Sequence, residues 1–368
     1  MRVSIWRRLL LGATAPVGAL VVAVIICGVI LLLSGHSPLT AFSAMGDSAV
    51  KPRIVAAALN QTAAYYLAAV AVAIGFKMNL LNIGVDGQYR LAAMLAAAVA
   101  GTAFMTQLPG FLRVVITIAV AVLVGAIWAG IAVWLKITRG VSEVISTIML
   151  NYVATGVIAY LITPAKLGVL SGNSLGTPAI NAGGMVPVIE IPKSITAVYW
   201  LDILAVLVGV GYAVLLNRTV FGFQIRATGL NPAAAVAGGI SAKKMALFAM
   251  LISGGIAGLV GMPELLSNAG TYSVNFPSGY AISGIAIALL GRNHPVGIAF
   301  AALLWSFLES SSTALQSVQV SNQLVAIMEG VIVLSVVIAY ELVRRYRIVL
   351  QQRDVARAVA APAQPVAA

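Results

Sequence analysis

Residues 221–244 read FGFQIRATGLNPAAAVAGGISAKK, the longest polar and basic interruption between two strongly apolar runs, 201–216 and 245–262. Arg218, Arg226, Lys243 and Lys244 assign it to the cytoplasmic side of a membrane, because short loops rich in Lys and Arg are retained there. Within it, Asn231-Pro232 has the form of a helix start: Asn as N-cap, Pro in the first turn, then the helix-favouring Ala233, Ala234 and Ala235. A short helix lying across the membrane face between two spanning helices suits docking against a soluble partner. An ordinary loop with a chance alanine run is the alternative.

The composition supports the membrane reading. Of 368 residues, 61% are hydrophobic and 9% charged, and the mean hydropathy is +1.03, which excludes a soluble globular protein. A net charge of +12 could suit nucleic acid, but the positive residues are spread over short loops and both termini, so no nucleic-acid partner is expected. Cys27, the single cysteine, lies in the first apolar run, so neither a disulfide nor a cysteine metal cluster can form within the chain. That run follows Arg2, Arg7 and Arg8, is too long for a signal-peptide core and has no clear A-x-A site after it. A retained first helix is expected.

Apolar runs near 9–33, 54–76, 89–106, 114–135, 141–163, 200–216, 245–262, 278–291, 296–316 and 322–343 predict an all-α polytopic membrane protein. It would have about ten spans. With both termini cytoplasmic, only Lys51, Arg53, Arg113, Lys166 and Lys193 of the 22 basic residues fall outside, and the reversed topology inverts that bias. The run 278–291 is short for a span, which suggests a broken or re-entrant helix. The expected layout is a transmembrane domain over 1–345, with a cytoplasmic coupling loop at 217–244 and an external loop at 164–199 rich in Gly, Pro, Ser and Asn. A tail over 346–368, Ala- and Pro-rich at its end, is expected to be disordered there.

Polar groups inside such a chain need a reason. Residues 77–90 read KMNLLNIGVDGQYR, in which Gly84 and Gly87 allow tight or left-handed backbone beside Asn82, Asp86 and Gln88. A translocation path and a simple cytoplasmic turn are both open, and Lys77 or Arg90 is a sensible ion-pair partner for Asp86. In the second run Asn60, Gln61 and Tyr65 lie in the outer half, Gln61 and Tyr65 on one helix face. They would meet an incoming substrate first, or else bond helix to helix. Asn151, deep in the fifth run, suits packing between helices, and Glu143 near its end suits a structural contact. Glu309 and Glu329 fall within the last two spans, where an ionised carboxylate costs about 2.5–3.5 kcal/mol at the helix centre. Each should be paired, protonated or facing water; for Glu309, followed by Ser310, Ser311 and Ser312, simply reaching the interface is the alternative.

Catalytic motifs are missing. No G-x-x-x-x-G-K-[ST] is present, so ATP must be hydrolysed elsewhere if it is used. His36 and His294 are far apart in sequence and no H-E-x-x-H occurs, so no zinc site is expected.

Four stretches together resemble permeases of ABC importers, specifically the nucleoside branch of the branched-chain amino acid, simple sugar and nucleoside superfamily. They are NIGVDGQ (82–88), SEVISTIMLNY (142–152), RATGLNPAAA (226–235) and LLGRNHPVG (289–297), in order along most of the core. Val236 departs from the pattern, which has an aromatic residue there. The resemblance implies a transport subunit, not an enzyme, moving a small molecule by alternating access. It implies ATP and Mg on a separate cytoplasmic ATPase, a second permease that is identical or related, and an extracytoplasmic substrate-binding protein. Arg226, Gly229, Asn231, Pro232 and Ala234 would then couple to the ATPase. Asn60, Gln61, Tyr65, Asn82, Gly84, Asp86, Gly87, Gln88, Asn151, Glu309 and Glu329 would line or gate the path. The alternatives are a simple-sugar permease and an ion-coupled secondary transporter using Glu309 and Glu329.

Overall fold

The computed structural model describes residues 21–171, 174–192, 194–335 and residues 338, 339, 342, 345 and 352. The start of the first apolar run, and the tail expectation over 346–368 apart from residue 352, lie outside the described residues. In chain order the helices are α1 (Val21–Leu33), α2 (Pro38–Ala49), α3 (Pro52–Lys77), α4 (Val85–Ala100), α5 (Ala103–Thr106), α6 (Gly110–Arg139) and α7 (Glu143–Leu161). They continue with α8 (Ile203–Arg218), α9 (Val220–Leu230), α10 (Pro232–Ala237), α11 (Ala242–Leu259), α12 (Met262–Glu264), α13 (Tyr280–Leu290), α14 (Pro295–Ser317) and α15 (Asn322–Ser335). Among the described residues, 6 helices are long and apolar enough to cross a membrane. The sequence runs anticipated most of these helices; α2, a separate helix begun by Pro38, was not anticipated.

The chain forms two compact units, one from 1–46 and 312–368, the other from 47–311. In the first, the Cys27 thiol approaches the Met328 carbonyl at 3.9 Å and His36 Nε2 lies 3.0 Å from the Gln319 carbonyl. Glu329 belongs to this unit, on α15.

The larger unit is built around α3, buried without interruption from Ala63 to Gly75. A helix apolar on every face has no solvent side and belongs in the middle of a bundle. The α6–α11 pair shows how small residues permit this density. Ala121, Gly125 and Ala129 repeat every fourth residue on α6, so they share one face, and they meet Gly254 and Gly258 on α11 backbone to backbone. A Cβ on Gly125 would run into the Gly254 carbonyl, and one on Gly258 into that of Ala121. Such seams of small residues drive association where lipid, not water, is the competing solvent.

Between α7 and α8 the chain makes two short antiparallel hairpins. In one, β1 (Val169–Ser171) pairs β2 (Ser174–Gly176), with Val169 opposite Gly176; in the other, β3 (Val188–Ile189) pairs β4 (Val198–Tyr199). The Thr177 amide donates to the Tyr272 carbonyl at 2.9 Å and Gly176 bridges Ser273, which pins this segment to the chain after α11.

Two helices begin inside the bundle. Helix α13 runs parallel to α3, with Gly284 against Ala68 and Tyr280 packed edge-on to Tyr65, the midpoint of α3. It therefore starts at mid-depth, preceded by irregular chain from Gly270 to Gly279, which explains the short apolar run at 278–291. Helix α4 likewise starts at Val85, level with Ala71 through Ser253, after an extended segment doubles back along the end of α3.

Candidate functional site

The 82–88 stretch is not a solvated turn: Asn82 and Gln88 are fully buried. Their side-chain amides bond reciprocally, each N–H donating to the other's carbonyl at 2.9 Å. Asn82 Nδ2 also donates to Ser253 Oγ at 2.9 Å, and that hydroxyl donates to the Ala71 carbonyl at 2.6 Å. Asn82 Oδ1 accepts the Gly84 amide at 3.0 Å, satisfying one of the open donors at the start of α4. From α7, Asn151 closes the other side: it accepts the Gly87 amide at 2.8 Å and donates to the Ile83 carbonyl at 2.9 Å. The helix-bonding role expected of Asn151 is what the structure shows.

The glycines serve a different purpose from the one expected. Gly84 has φ −76° and Gly87 is helical, so neither is left-handed; Asn79, with φ 58°, makes the turn. What Gly84 and Gly87 provide is room. A Cβ on Gly84 would come within 2.8 Å of Gln88 Nε2, and one on Gly87 within 2.8 Å of Asn151 Oδ1.

Asp86 also departs from expectation, forming no ion pair with Lys77 or Arg90. Its Oδ1 accepts the amides of Gly279 and Ala281, each at 3.2 Å, and so caps the first turn of α13. A carboxylate there offsets the partial positive charge of the helix start. Beside it the Tyr89 hydroxyl donates to the Pro277 carbonyl, and the Tyr89 and Tyr280 rings meet at 5.6 Å. The N-termini of α4 and α13 thus face each other across Asp86. Arg90, counted above with a loop, lies in α4 beside Tyr272.

Next to this junction is a cavity of about 190 Å³ lined by Asn60, Gln61, Tyr199, Glu264, Phe276 and Tyr280 among others. Asn60 holds its rim: Nδ2 donates to the Ala197 carbonyl at 2.9 Å and Oδ1 accepts the Tyr199 amide at 3.2 Å. Tyr199 donates to Glu264 at 3.0 Å; burial and the nearby carboxylate push its phenol up, so it stays a donor. The other Glu264 oxygen accepts Asn268 Nδ2 at 2.7 Å. Glu264 closes α12, directly before a π-helical turn at Leu265–Ala269, a distortion found often at functional sites.

Glu309 does not reach for the interface. It turns to α3 and accepts the Tyr65 hydroxyl, while Ser310 donates to Gln61 at 2.9 Å. Tyr65, packed on Tyr280, links this pair to the cavity wall. Lys136 and Glu143 form an ion pair at 2.5 Å, the structural contact expected of Glu143. Glu264 and Glu309 face the interior, and their carboxylates are bonded by Tyr199, Asn268 and Tyr65, none of them a cation.

A family model described as branched-chain amino acid transport system / permease component matches residues 54–338. The chain belongs to this family. It is a multi-pass permease of the cytoplasmic membrane. It is 32% identical over 330 residues to a guanosine ABC transporter permease protein of Bacillus subtilis, covering 88% of this chain and 93% of the relative. A nucleoside ABC transporter permease protein of Lactococcus lactis is 28% identical over 88% of this chain and 90% of its own length. A glucose ABC transporter permease protein of Haloferax volcanii is 28% identical over 90% and 89%. No solved structure matches.

At the far end of the permease's α3 lies the 221–244 segment. Asn231 caps α10 as expected, its Oδ1 accepting the Ala234 amide at 3.0 Å, with Pro232 in the first turn. Asn231, Pro232 and Ala234 are exposed, as are the apolar Leu230 (88%) and Val236 (57%). Gly229 is tied inward: a Cβ there would strike the Lys77 carbonyl, so its requirement is packing of α9 on α3. Arg226 sits half-buried with Nη1 lacking a hydrogen-bond partner, close enough to Lys77 to repel it.

Sequence reasoning missed Glu264, Tyr199, Phe276 and Tyr280. The available signal for Glu264 was an acid two residues beyond the apolar run read as ending at Met262. Tyr199 ends a two-residue strand, Phe276 lies in irregular chain and Tyr280 starts a helix, so no periodicity marks them.

Proposed function

We propose that this permease is the membrane subunit of an ATP-driven ABC importer that moves nucleosides into the cytoplasm. The observation that carries the substrate class is the cavity beside the broken helices. It offers aromatic faces and hydrogen-bond acceptors, and Glu264 has no bound cation. A nucleotide would bring a phosphate into this acidic space, where like charges repel. A nucleoside is neutral, carries a flat base for the aromatic wall, and has donors for the carboxylate. The names of the Bacillus and Lactococcus relatives favour the same class. The glucose permease of Haloferax keeps a sugar as the second reading, since sugar hydroxyls are also donors.

In this scheme both termini and the 217–244 loop are cytoplasmic, about ten spans are present, and α10 meets a separate ATPase that holds ATP and Mg. A substrate-binding protein delivers the nucleoside to the opposite face, beside the 164–199 segment, and a second permease completes the core. Closure of the ATPase pair pushes on α9 and α10, and α9 is packed on the end of α3. The helices then rock between outward and inward arrangements, with α4 and α13 parting or meeting at Asp86. Within this path Asn82, Gly84, Gly87, Gln88 and Asn151 hold the junction together, Asn60 and Gln61 line the cavity, and the Tyr65–Glu309 pair backs its wall at Tyr280.

The test is uptake of labelled guanosine, adenosine, cytidine and glucose by cells expressing the complete importer. Nucleoside uptake should collapse on ATP depletion and persist when an ionophore dissipates ion gradients. Uptake that follows the ion gradient would revive the secondary transporter. Uptake of glucose alone would move the assignment to sugars.

A further inference from the structure

We propose that Glu264 is a specificity-determining residue that reads the donor edge of a purine base lying against Phe276 and Tyr280. The inference rests on the nucleoside reading and adds which part of the nucleoside enters the cavity and which side chain selects it.

Size comes first. At about 190 Å³ the cavity is smaller than the roughly 300–1,000 Å³ of complete small-molecule sites. It suits one ring system of the substrate, leaving the remainder towards the opening. Shape comes second. Phe276 and Tyr280 border the space from irregular chain and from the first residue of α13, and Tyr199 closes the rim. Flat aromatic walls beside hydrogen-bonding groups are how isolated bases are read elsewhere, by stacking and by contacts to the pairing edge.

Valence comes third. An ionised carboxylate offers about four acceptor positions. Glu264 uses one oxygen for Tyr199 and the other for Asn268, both contacts coming from its own chain. Each oxygen keeps a lone pair, and the two are spaced to take a pair of parallel donors. Guanine presents such a pair, N1–H and an N2–H, whereas adenine has an acceptor at N1. Gln61 lies on the same cavity wall, its carbonyl occupied by Ser310, leaving its N–H groups to meet an acceptor such as O6.

Glu264 also sits where its state can be transmitted. It ends α12 against a π-helical turn, and the Asn60-held segment carrying Tyr199 is its partner. Filling its free lone pairs with a base would engage the rim of the cavity and the end of the α11–α12 column together.

The test compares wild type, Glu264→Gln and Glu264→Asp in cells expressing the complete importer, with permease abundance measured in the membrane. Maximal uptake rates are taken for guanosine, inosine, adenosine and 2′-deoxyguanosine. Glu264→Gln replaces one acceptor by a donor and should lower the guanosine-to-adenosine ratio about ten-fold. Inosine, with N1–H alone, should fall between, and the guanosine-to-2′-deoxyguanosine ratio should not move. Glu264→Asp keeps the charge on a shorter arm and should shift the same ratio in the same direction by less, which keeps the test readable if the Gln variant fails to reach the membrane. Equal loss for every nucleoside at normal abundance would make Glu264 structural and overturn the proposal. A change confined to the deoxyribose comparison would move Glu264 to the sugar and overturn the base-edge assignment. Nucleoside uptake in wild type with unaltered ratios in both variants would sink this inference alone. Absence of any nucleoside uptake by wild type would instead remove the functional reading beneath it.

Discussion

Two segments of this permease start from similar sequence and end in opposite environments. Residues 82–88 and 226–237 each combine asparagine, glycine and a charged residue, and in each an Asn side chain accepts a backbone amide at a helix start, at 3.0 Å in both cases. In the first, the bonding groups of Asn82 and Gln88 turn inward and satisfy each other. In the second, the cap is exposed and Leu230 and Val236 project away from the fold. A buried polar group must be answered from within the protein, whereas an exposed helix end with apolar residues beside it is open to another chain. The first segment therefore holds helices of the permease together, and the second is available to a partner.

The sharpest way to break this contrast is to add bulk to each side. Gly84→Val forces a branched side chain into Gln88, Thr147 and Asn82, whose nearest atoms would lie at 2.8, 3.1 and 3.2 Å from the new Cβ. Overpacking alone costs about 1–3 kcal/mol, and each buried group that loses its partner adds about 1–3 kcal/mol. The expected outcome is little or no folded permease in the membrane. Ala233→Val, on the exposed face of α10, should leave abundance unchanged. Equal abundance of both variants would return 82–88 to a solvated turn.

A second pair separates holding from coupling. Asp86→Ala leaves the amides of Gly279 and Ala281 without their acceptor and removes a cap of the kind worth about 1 kcal/mol. Its uptake should fall strongly and its thermal unfolding in detergent should shift down. Asp86→Glu, which keeps the acceptor, should retain much of the uptake. Arg226→Glu should behave in the opposite way, with normal unfolding but with uptake and substrate-stimulated ATP hydrolysis lost. Matching stability losses in Asp86→Ala and Arg226→Glu would erase the distinction between the two segments.

How much of this was legible depends on whether a signal is local. The apolar runs gave the long helices because burial in lipid or in a bundle writes itself as continuous hydrophobicity, and the short run at 278–291 gave warning of α13. The N-cap at Asn231 was legible because capping is decided within four residues. The depth of 82–88 was not. Its polar residues fit a cytoplasmic turn as well as a buried network, and only Ser253 and Asn151, distant in sequence, decide between them. The partners of Asp86 were not legible for the same reason: Arg90 is its neighbour in sequence, but Gly279 and Ala281 are its neighbours in space. The cavity was half visible, through Asn60 and Gln61 on one helix, with Tyr65 behind its wall. Glu264, Phe276 and Tyr280 reach it from the break between α11 and α13, where no repeat pattern survives.

The smallest expected effect tests the open side of the comparison at one residue. Val236 is 57% exposed on α10 and stands where related permeases are expected to carry an aromatic residue. Because the site faces outward, Val236→Phe meets no wall, and its effect on permease stability should stay within about 0.5 kcal/mol. The larger ring would add apolar area to whatever α10 meets, at about 25 cal/mol for each Å² buried. If that partner is the ATPase, the ATPase should be retained a few-fold longer on the Phe variant during detergent purification, while membrane abundance and thermal unfolding match wild type. Val236→Ser should release it a few-fold sooner. A drop in stability with the Phe variant would mean that Val236 packs within the permease. Unchanged retention in both variants would remove Val236 from the contact and leave Arg226, Asn231 and Pro232 to carry the coupling assignment.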